Sequence, residues 1–191
     1  MDGGYAATTI EAISDLSDTP PATVYRLFSS KLGILRALLD VSAVGDDEAV
    51  AMGDRPRVRG LLEDPDPRNQ VLGFAGLARD VMSRLAPVHR ILVSAAGSDP
   101  DAAALLVEHM RQREKGQGRI ARSLARAGAL RPKLRERDAA DMIHALMSPE
   151  VYLLLVSDRR WSPERYEDWL GWTLIAQLLP QAAGGDRRES S

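Results

Sequence analysis

Thr23, Tyr25 and Arg26 place a hydroxyl, a phenol and a guanidinium within four residues of one short segment, residues 21–28. A guanidinium pairs bidentately with guanine in a major groove, and hydroxyl or phenol groups reach phosphates. The local pattern determines whether these groups face outward. Val24 and Phe28 stand at i and i+4 and share one helix face. That face can pack on Ile10 and Ile13 of the segment before it, leaving Thr23, Tyr25 and Arg26 off the packed side. Eight helical residues, a turn at Ser17-Asp18-Thr19 and a second short helix opened by Pro20-Pro21 match helix-turn-helix spacing. An ordinary helical hairpin with a polar outer face has the same spacing.

Other chemistries find little support. With no cysteine, disulfides, thiolate zinc sites, iron–sulfur clusters and a thiol nucleophile are excluded. His89, His109 and His144 lack carboxylates at ligand spacing, so no metal site is expected. Gly116-Gln117-Gly118 lacks the strand and remaining glycines of a dinucleotide fingerprint. No Ser-His-Asp set or carboxylate pair stands out, so neither catalytic residues nor a cofactor are expected, and an enzyme is the weakest alternative.

The elements that position these groups are helical. Ala, Leu, Arg and Glu dominate the 191 residues, 45% are hydrophobic, and alternation is absent. Thr8-Thr9-Ile10-Glu11 fits a capping box with Thr8 as N-cap. Ser29-Ser30-Lys31 opens a longer stretch from Leu32 to about residue 44. Residues 45–67 read as a polar connector carrying Gly45, Gly53, Gly60, Pro56, Pro65 and Pro67. Helices follow at about 68–85, 87–96 and 100–127, separated by Pro87 and by Gly97-Ser98-Asp99-Pro100. A helix at about 136–157 contains Ser148-Pro149, where Pro either kinks it or stands at N1 of a new helix capped by Ser148. Ser162-Pro163-Glu164 caps the last helix, Pro180 stops it, and residues 184–191 read as a disordered tail.

Net charge is −2, unevenly spread. Residues 111–137 hold ten Arg or Lys against Glu114 and Glu136, a surplus of +8, whereas residues 1–45 come to −2. The basic run is either a nucleic-acid patch or the solvated face of a helix. The longest apolar run, Val151 to Val156, falls well short of the ~20 residues that cross a bilayer. Together with polar, glycine-rich first residues, this leads us to expect a cytoplasmic protein without membrane contact.

Gly4-Tyr5-Ala6-Ala7-Thr8-Thr9-Ile10-Glu11-Ala12-Ile13, then Pro21-Ala22-Thr23-Val24-Tyr25-Arg26-Leu27-Phe28 and Ser30-Lys31, closely resembles the DNA-binding signature of TetR-type transcriptional repressors. Ser148-Pro149-Glu150-Val151-Tyr152 and Trp161-Ser162-Pro163-Glu164-Arg165-Tyr166 more loosely resemble the closing helices of that family's regulatory domain. The resemblance implies a helix-turn-helix over 9–28, with Pro21 to Leu27 as recognition helix. Thr9, Pro21, Ala22, Thr23, Tyr25, Arg26 and Lys31 would then be the DNA-binding residues, Arg26 reading a base and Tyr25 and Lys31 positioning on phosphates. In the family pattern a full helix precedes Gly4-Tyr5. Only Met1-Asp2-Gly3 stand there, so the expectation is an incomplete three-helix head. Ile10, Ile13, Val24 and Phe28 would then face water, and the 191-residue chain would bind DNA poorly. Asp18 occupies the usual turn glycine and must take a left-handed conformation; Pro20 replaces the usual serine cap and leaves the amides uncapped.

Five of nine aromatics follow residue 150. With the leucines of the last two helices they are apolar over more than one face, as in a helix buried twice. Tyr152, Leu154, Trp169, Trp172 and Ile175 are the expected dimer interface; the alternative is that they form only the core of one chain. Phe74, Leu77, Met82, Leu92, Leu106, Met110, Met142 and Met147 would suit a cavity for a small apolar effector, or would simply be core.

The sequence therefore predicts an all-α protein: a head over 1–45, a helical ligand-binding and dimerisation bundle over 46–180, and a tail over 181–191. The function expected is a homodimeric, ligand-responsive regulator, a repressor acting on double-stranded operator DNA. The alternative is a dimeric small-molecule-binding or interaction protein that has lost DNA binding.

Overall fold

The computed structural model describes residues 4–44 and 55–181, and among them there is no strand. Met1-Asp2-Gly3, connector residues 45–54 and tail residues 182–191 lie outside the described residues. Ten α-helices follow in order: α1 (Gly4–Ala7), α2 (Ile10–Ser17), α3 (Pro21–Phe28), α4 (Lys31–Val44), α5 (Pro56–Glu63), α6 (Pro67–Ala96), α7 (Pro100–Arg126), α8 (Glu136–Leu146), α9 (Pro149–Tyr152) and α10 (Pro163–Leu178). A π-helical stretch, Leu153–Asp158, continues α9.

Caps mark most starts. Asp66, Asp99, Ser148 and Ser162 each accept a backbone N–H of the following first turn, and a proline stands at N1 behind each. Ser148-Pro149 therefore opens a new helix rather than kinking an old one. The same break divides Glu136–Asp158, which by length and composition alone is apolar enough to cross a membrane.

Three expectations are corrected. Pro87 does not separate two helices, because α6 runs unbroken from Pro67 to Ala96. Pro87 is exposed, so water can take the carbonyl it releases, while buried Leu85, Ala86, His89 and Leu92 hold the helix down on both sides of it. The connector contains α5, where Pro56 sits at N1 and buried Val58 is followed by Leu61 and Leu62 at helical spacing. Thr9, not Thr8, caps α2, accepting from the Ala12 amide at 3.1 Å. Thr8 is instead turned back to close α1, its hydroxyl donating to the Gly4 carbonyl at 3.0 Å.

The core sits where α6, α7, α8 and α10 pack together, and Leu35 and Leu39 of α4 belong to it. Leu85, Leu92, Leu124, Ile143, Tyr166, Leu170 and Leu174 are among its most deeply buried residues. The head is tied to this body by polar contacts as well. Arg36 of α4 pairs with Glu108 of α7 at 2.9 Å, and Arg84 of α6 donates to the Ser42 carbonyl of α4 at 3.2 Å.

Candidate functional site

α2 and α3 form the turn that the sequence predicts. Asp18 takes φ +50° and ψ 36°, the left-handed C-cap usually given to glycine. The Ser14 hydroxyl donates to the Thr19 carbonyl and fixes the turn from inside. Pro20 offers no side-chain cap to α3. α3 and α4 meet closely, because a Cβ at Gly33 would overlap the Phe28 carbonyl oxygen. Ile10 and Val24 are 6% and 4% exposed, and Ile13 and Phe28 are half-buried. They do not face water, contrary to the expectation for an incomplete head.

On the outer face, Thr9, Pro21, Ala22, Tyr25, Arg26 and Leu27 are exposed and Thr23 is half-buried. The three candidate reading groups thus stand on one short helix, as their spacing predicts. Lys31 is placed differently from a simple surface cation. Its ammonium donates to the Tyr5 and Thr8 carbonyls at 2.6 and 2.9 Å and lies 4.1 Å from the centre of the Tyr5 ring. It fastens the end of α1 to the start of α4 and keeps one N–H for a further acceptor.

The residues expected at a dimer interface divide by exposure. Trp172 and Leu154 are 58% and 52% exposed, large apolar groups at the surface of one chain. Tyr152 and Ile175 are buried within it, and Trp169 is half-buried. Tyr152 meets Tyr166 edge-on, with ring centres 4.9 Å apart.

Of the expected effector residues, Phe74, Met82, Leu92 and Met147 are buried in one core, with Leu77, Leu106 and Met142 packed against it. Met110 is instead exposed, on the outer face of α7. The inward face of α7 passes through its neighbour, His109.

Sequence reasoning missed that inward face. Along α7 the buried side carries Ala102 and Leu105, then His109 and Gln117, then Ile120, Ala121 and Leu124. Arg113 lies between His109 and Gln117 at four-residue spacing, so three polar side chains occupy about 12 Å of a face that is otherwise apolar. Around them stand His89 of α6, His144 of α8, Glu150 of α9 and Tyr166 of α10. The His89 and His109 ring centres are 5.7 Å apart. His89 Nε2 lies 2.9 Å from Glu150 Oε1, and His144 Nδ1 lies 2.8 Å from Gln117 Oε1. His89 and His109, isolated in sequence, are therefore neighbours in space, and His144 meets the same face of α7 two turns on, at Gln117. Among the described residues no three His, Asp or Glu are grouped to hold a metal.

Burial, helped by the charges of His89 and Arg113, pulls His109 down to about 4, so it is neutral near pH 7. Burial also lowers Arg113, against the pull of Glu150 and Tyr166. Burial raises Tyr166 and lowers His144. The basic run at 111–137 is otherwise a solvated face, with Arg111, Lys115, Arg122 and Arg126 exposed.

Comparison with known proteins agrees with this architecture. Residues 1–38 match the family model described as bacterial regulatory proteins, tetR family. The chain is 28% identical over 131 residues to the HTH-type transcriptional regulator TcmR of Streptomyces glaucescens, covering 64% of this chain and 52% of that protein. The chain thus spans about half the length of the curated relative it matches. The fold is similar to the ketosteroid transcriptional regulator KstR2 of Mycobacterium tuberculosis, with TM-score 0.59, 16% identity and coverage of 94% of this chain and 89% of that one. It is also similar to the TetR family transcriptional regulator PfmR of Thermus thermophilus, with TM-score 0.60, 18% identity and coverage of 93% and 89%. All three of these proteins are transcriptional regulators. The helix-turn-helix geometry of α2 and α3 lies within the residues that match the tetR family model, and the all-helical fold is similar to that of the two solved regulators.

Proposed function

We propose that the protein is a cytoplasmic, homodimeric, ligand-responsive regulator that represses transcription by binding operator DNA through residues 1–45. The exposed side of α3, with Thr23, Tyr25 and Arg26 supported by buried Val24, is the observation that carries this reading. Ile10 and Val24 are buried and Ile13 and Phe28 half-buried, so the helix pair that presents this side is packed even without a full preceding helix. Arg26 is the base reader, and Thr9, Pro21, Ala22, Thr23, Tyr25 and Lys31 set its position on the backbone. Arg36 is committed to Glu108 and the head has no cationic surplus, so phosphate attraction is modest and affinity depends on fit.

Residues 46–180 form the sensing and dimerising domain. Trp172 and Leu154 supply the exposed anchors, Trp169 is half-buried against Trp161 and Tyr166, and Tyr152 and Ile175 support from within. α7 links sensing to reading: Glu108 holds α4 through Arg36, and the next residue, His109, belongs to the interior polar site. An effector that binds one arrangement of α7 more tightly shifts the distance between the two recognition helices, and operator affinity follows. Two half-sites of one operator must lie roughly 34–36 Å apart.

Gel retardation with the DNA upstream of the protein's own gene tests this reading. Sequence-specific retardation that Arg26→Ala weakens at one base position supports it. Absence of any specific complex at low salt, with a dimer intact, favours the alternative of a small-molecule-binding protein without DNA function.

A further inference from the structure

Arg113 presents an unusual defect. Its Nε and Nη2 are inaccessible to water and have no hydrogen-bond partner in the protein. Nε–H and Nη2–H lie on the same edge of the guanidinium plane, the fork that fits both oxygens of one carboxylate. The Tyr166 hydroxyl, His109 Nε2 and His89 Nδ1 are likewise buried without a partner. Arg113 stands one helical turn after His109 on α7, the His109 and His89 ring centres are 5.7 Å apart, and Tyr166 of α10 is near enough to feel the Arg113 charge. Natural interiors leave few buried polar atoms unpaired, so four residues so placed in one cluster point to a ligand.

We infer that Arg113, with Tyr166 and His109, forms an interior seat for the carboxylate of a small, otherwise apolar acid. The inference rests on the reading of the chain as a ligand-responsive regulator and names the chemical class of its effector. A carboxylate is favoured over a phosphate dianion because the cluster offers one permanent cation, and a second buried negative charge would go unpaired. Glu150 does not fill the fork. Among the described residues Arg113 has no ion pair, and the Glu150 carboxylate is bound to His89 and largely exposed. The acid's body faces the apolar surroundings of the cluster: Leu105 one turn before His109, Leu92 beyond His89, and Met147 and Tyr152. Tyr166 donates one further hydrogen bond, and neutral His109 donates or accepts according to its tautomer.

The test uses thermal unfolding of the 191-residue chain with two matched pairs, decanoate against decan-1-ol and 3-phenylpropionate against 3-phenylpropan-1-ol. At tenfold excess over its dissociation constant, at least one acid is expected to raise Tm by about 3–6 °C, with no such rise from its alcohol. Tyr166→Phe, which removes only an unpartnered hydroxyl, should leave the unliganded Tm unchanged or higher and weaken that acid about tenfold. Arg113→Met should raise the unliganded Tm and weaken the acid on the order of 100-fold. Equal shifts by acid and alcohol, no shift by either acid, or full acid affinity in both variants would overturn the inference. So would an unliganded Arg113→Met protein that unfolds many degrees lower, since Arg113 would then be a satisfied structural cation. DNA retardation without any acid, run in parallel, separates the two failures. Specific retardation with no acid effect removes the seat and leaves the regulator; acid binding without retardation does the reverse.

Discussion

Acid should weaken the folded protein through His109, well before the carboxylates titrate. His109 is 7% exposed and faces His89 from α6, Arg113 from its own helix and Glu150 from α9. Burial is the main reason its folded value falls to about 4, with His89 and Arg113 adding and Glu150 partly opposing. In the unfolded chain it titrates near ~6.5. Between these values the unfolded state holds a proton that the folded state does not, so stability rises with pH. The contribution is complete above pH ~6.5 and disappears as pH falls toward 4, amounting to about 3 kcal/mol in total and about 2 kcal/mol between pH 7.5 and 5. For a chain of this length that corresponds to about 4–8 °C in Tm. His144, also held low by burial, and the carboxylates titrate alike in a His109→Gln variant, which isolates His109 as a difference. The wild type should lose about 4–8 °C more than His109→Gln between pH 7.5 and 5 in scanning calorimetry at fixed protein concentration. Identical losses in the two proteins would refute the burial argument.

Other outcomes follow from the same geometry. If the chain pairs as proposed, Trp172→Glu and Leu154→Glu each place a charge at an exposed apolar anchor and should convert dimer to monomer by light scattering, since an unpaired charge buried in an interface costs several kcal/mol; a clean dimer in both variants would move the interface elsewhere. Gly33→Ala forces a Cβ against the Phe28 carbonyl, so it should cost the head about 1–3 kcal/mol, seen as loss of amide protection in residues 10–28 with the α6–α10 core unchanged. Arg26→Ala should relax base preference at one operator position by ~1–3 kcal/mol, whereas uniform weakening on all sequences would remove its reading role. Because few head cations are available, log K against log salt for the dimer should have a slope of about −2 to −4, and a slope near roughly −8 would mean that the 111–137 run contacts DNA.

Much of the fold was legible because punctuation and periodicity agreed. Asp99-Pro100, Ser148-Pro149 and Ser162-Pro163 each pair an N-cap with an N1 proline, and each opens a helix. Asp18 at a turn glycine position implied the left-handed conformation that it adopts. Pro87 misled because the local cost of proline is visible in sequence, while the burial on both sides that overrides it is tertiary. α5 was hidden by prolines and Gly60 around it, although Pro56 with Val58, Leu61 and Leu62 carried a usable signal. The outer face of α3 could be read from Val24 and Phe28 alone. The interior polar site could not, because Arg113 sits in a run of basic residues that is otherwise solvated. Only its phase relative to Leu105, Ile120 and Leu124 turns it inward, and its orphaned edge depends on what α6, α9 and α10 fail to offer it.

The central claim is that α3 reads DNA in a symmetric pair. Selection of duplexes from a random-sequence pool by the purified 191-residue chain, at low salt and without added acid, tests it most directly. The account predicts enrichment of one inverted repeat whose half-site centres lie about one helical turn apart, roughly 34–36 Å, and loss of one conserved base pair per half-site in Arg26→Ala. A pool that emerges with no enriched sequence, or an enriched motif unaffected by Arg26→Ala and without twofold symmetry, would contradict it.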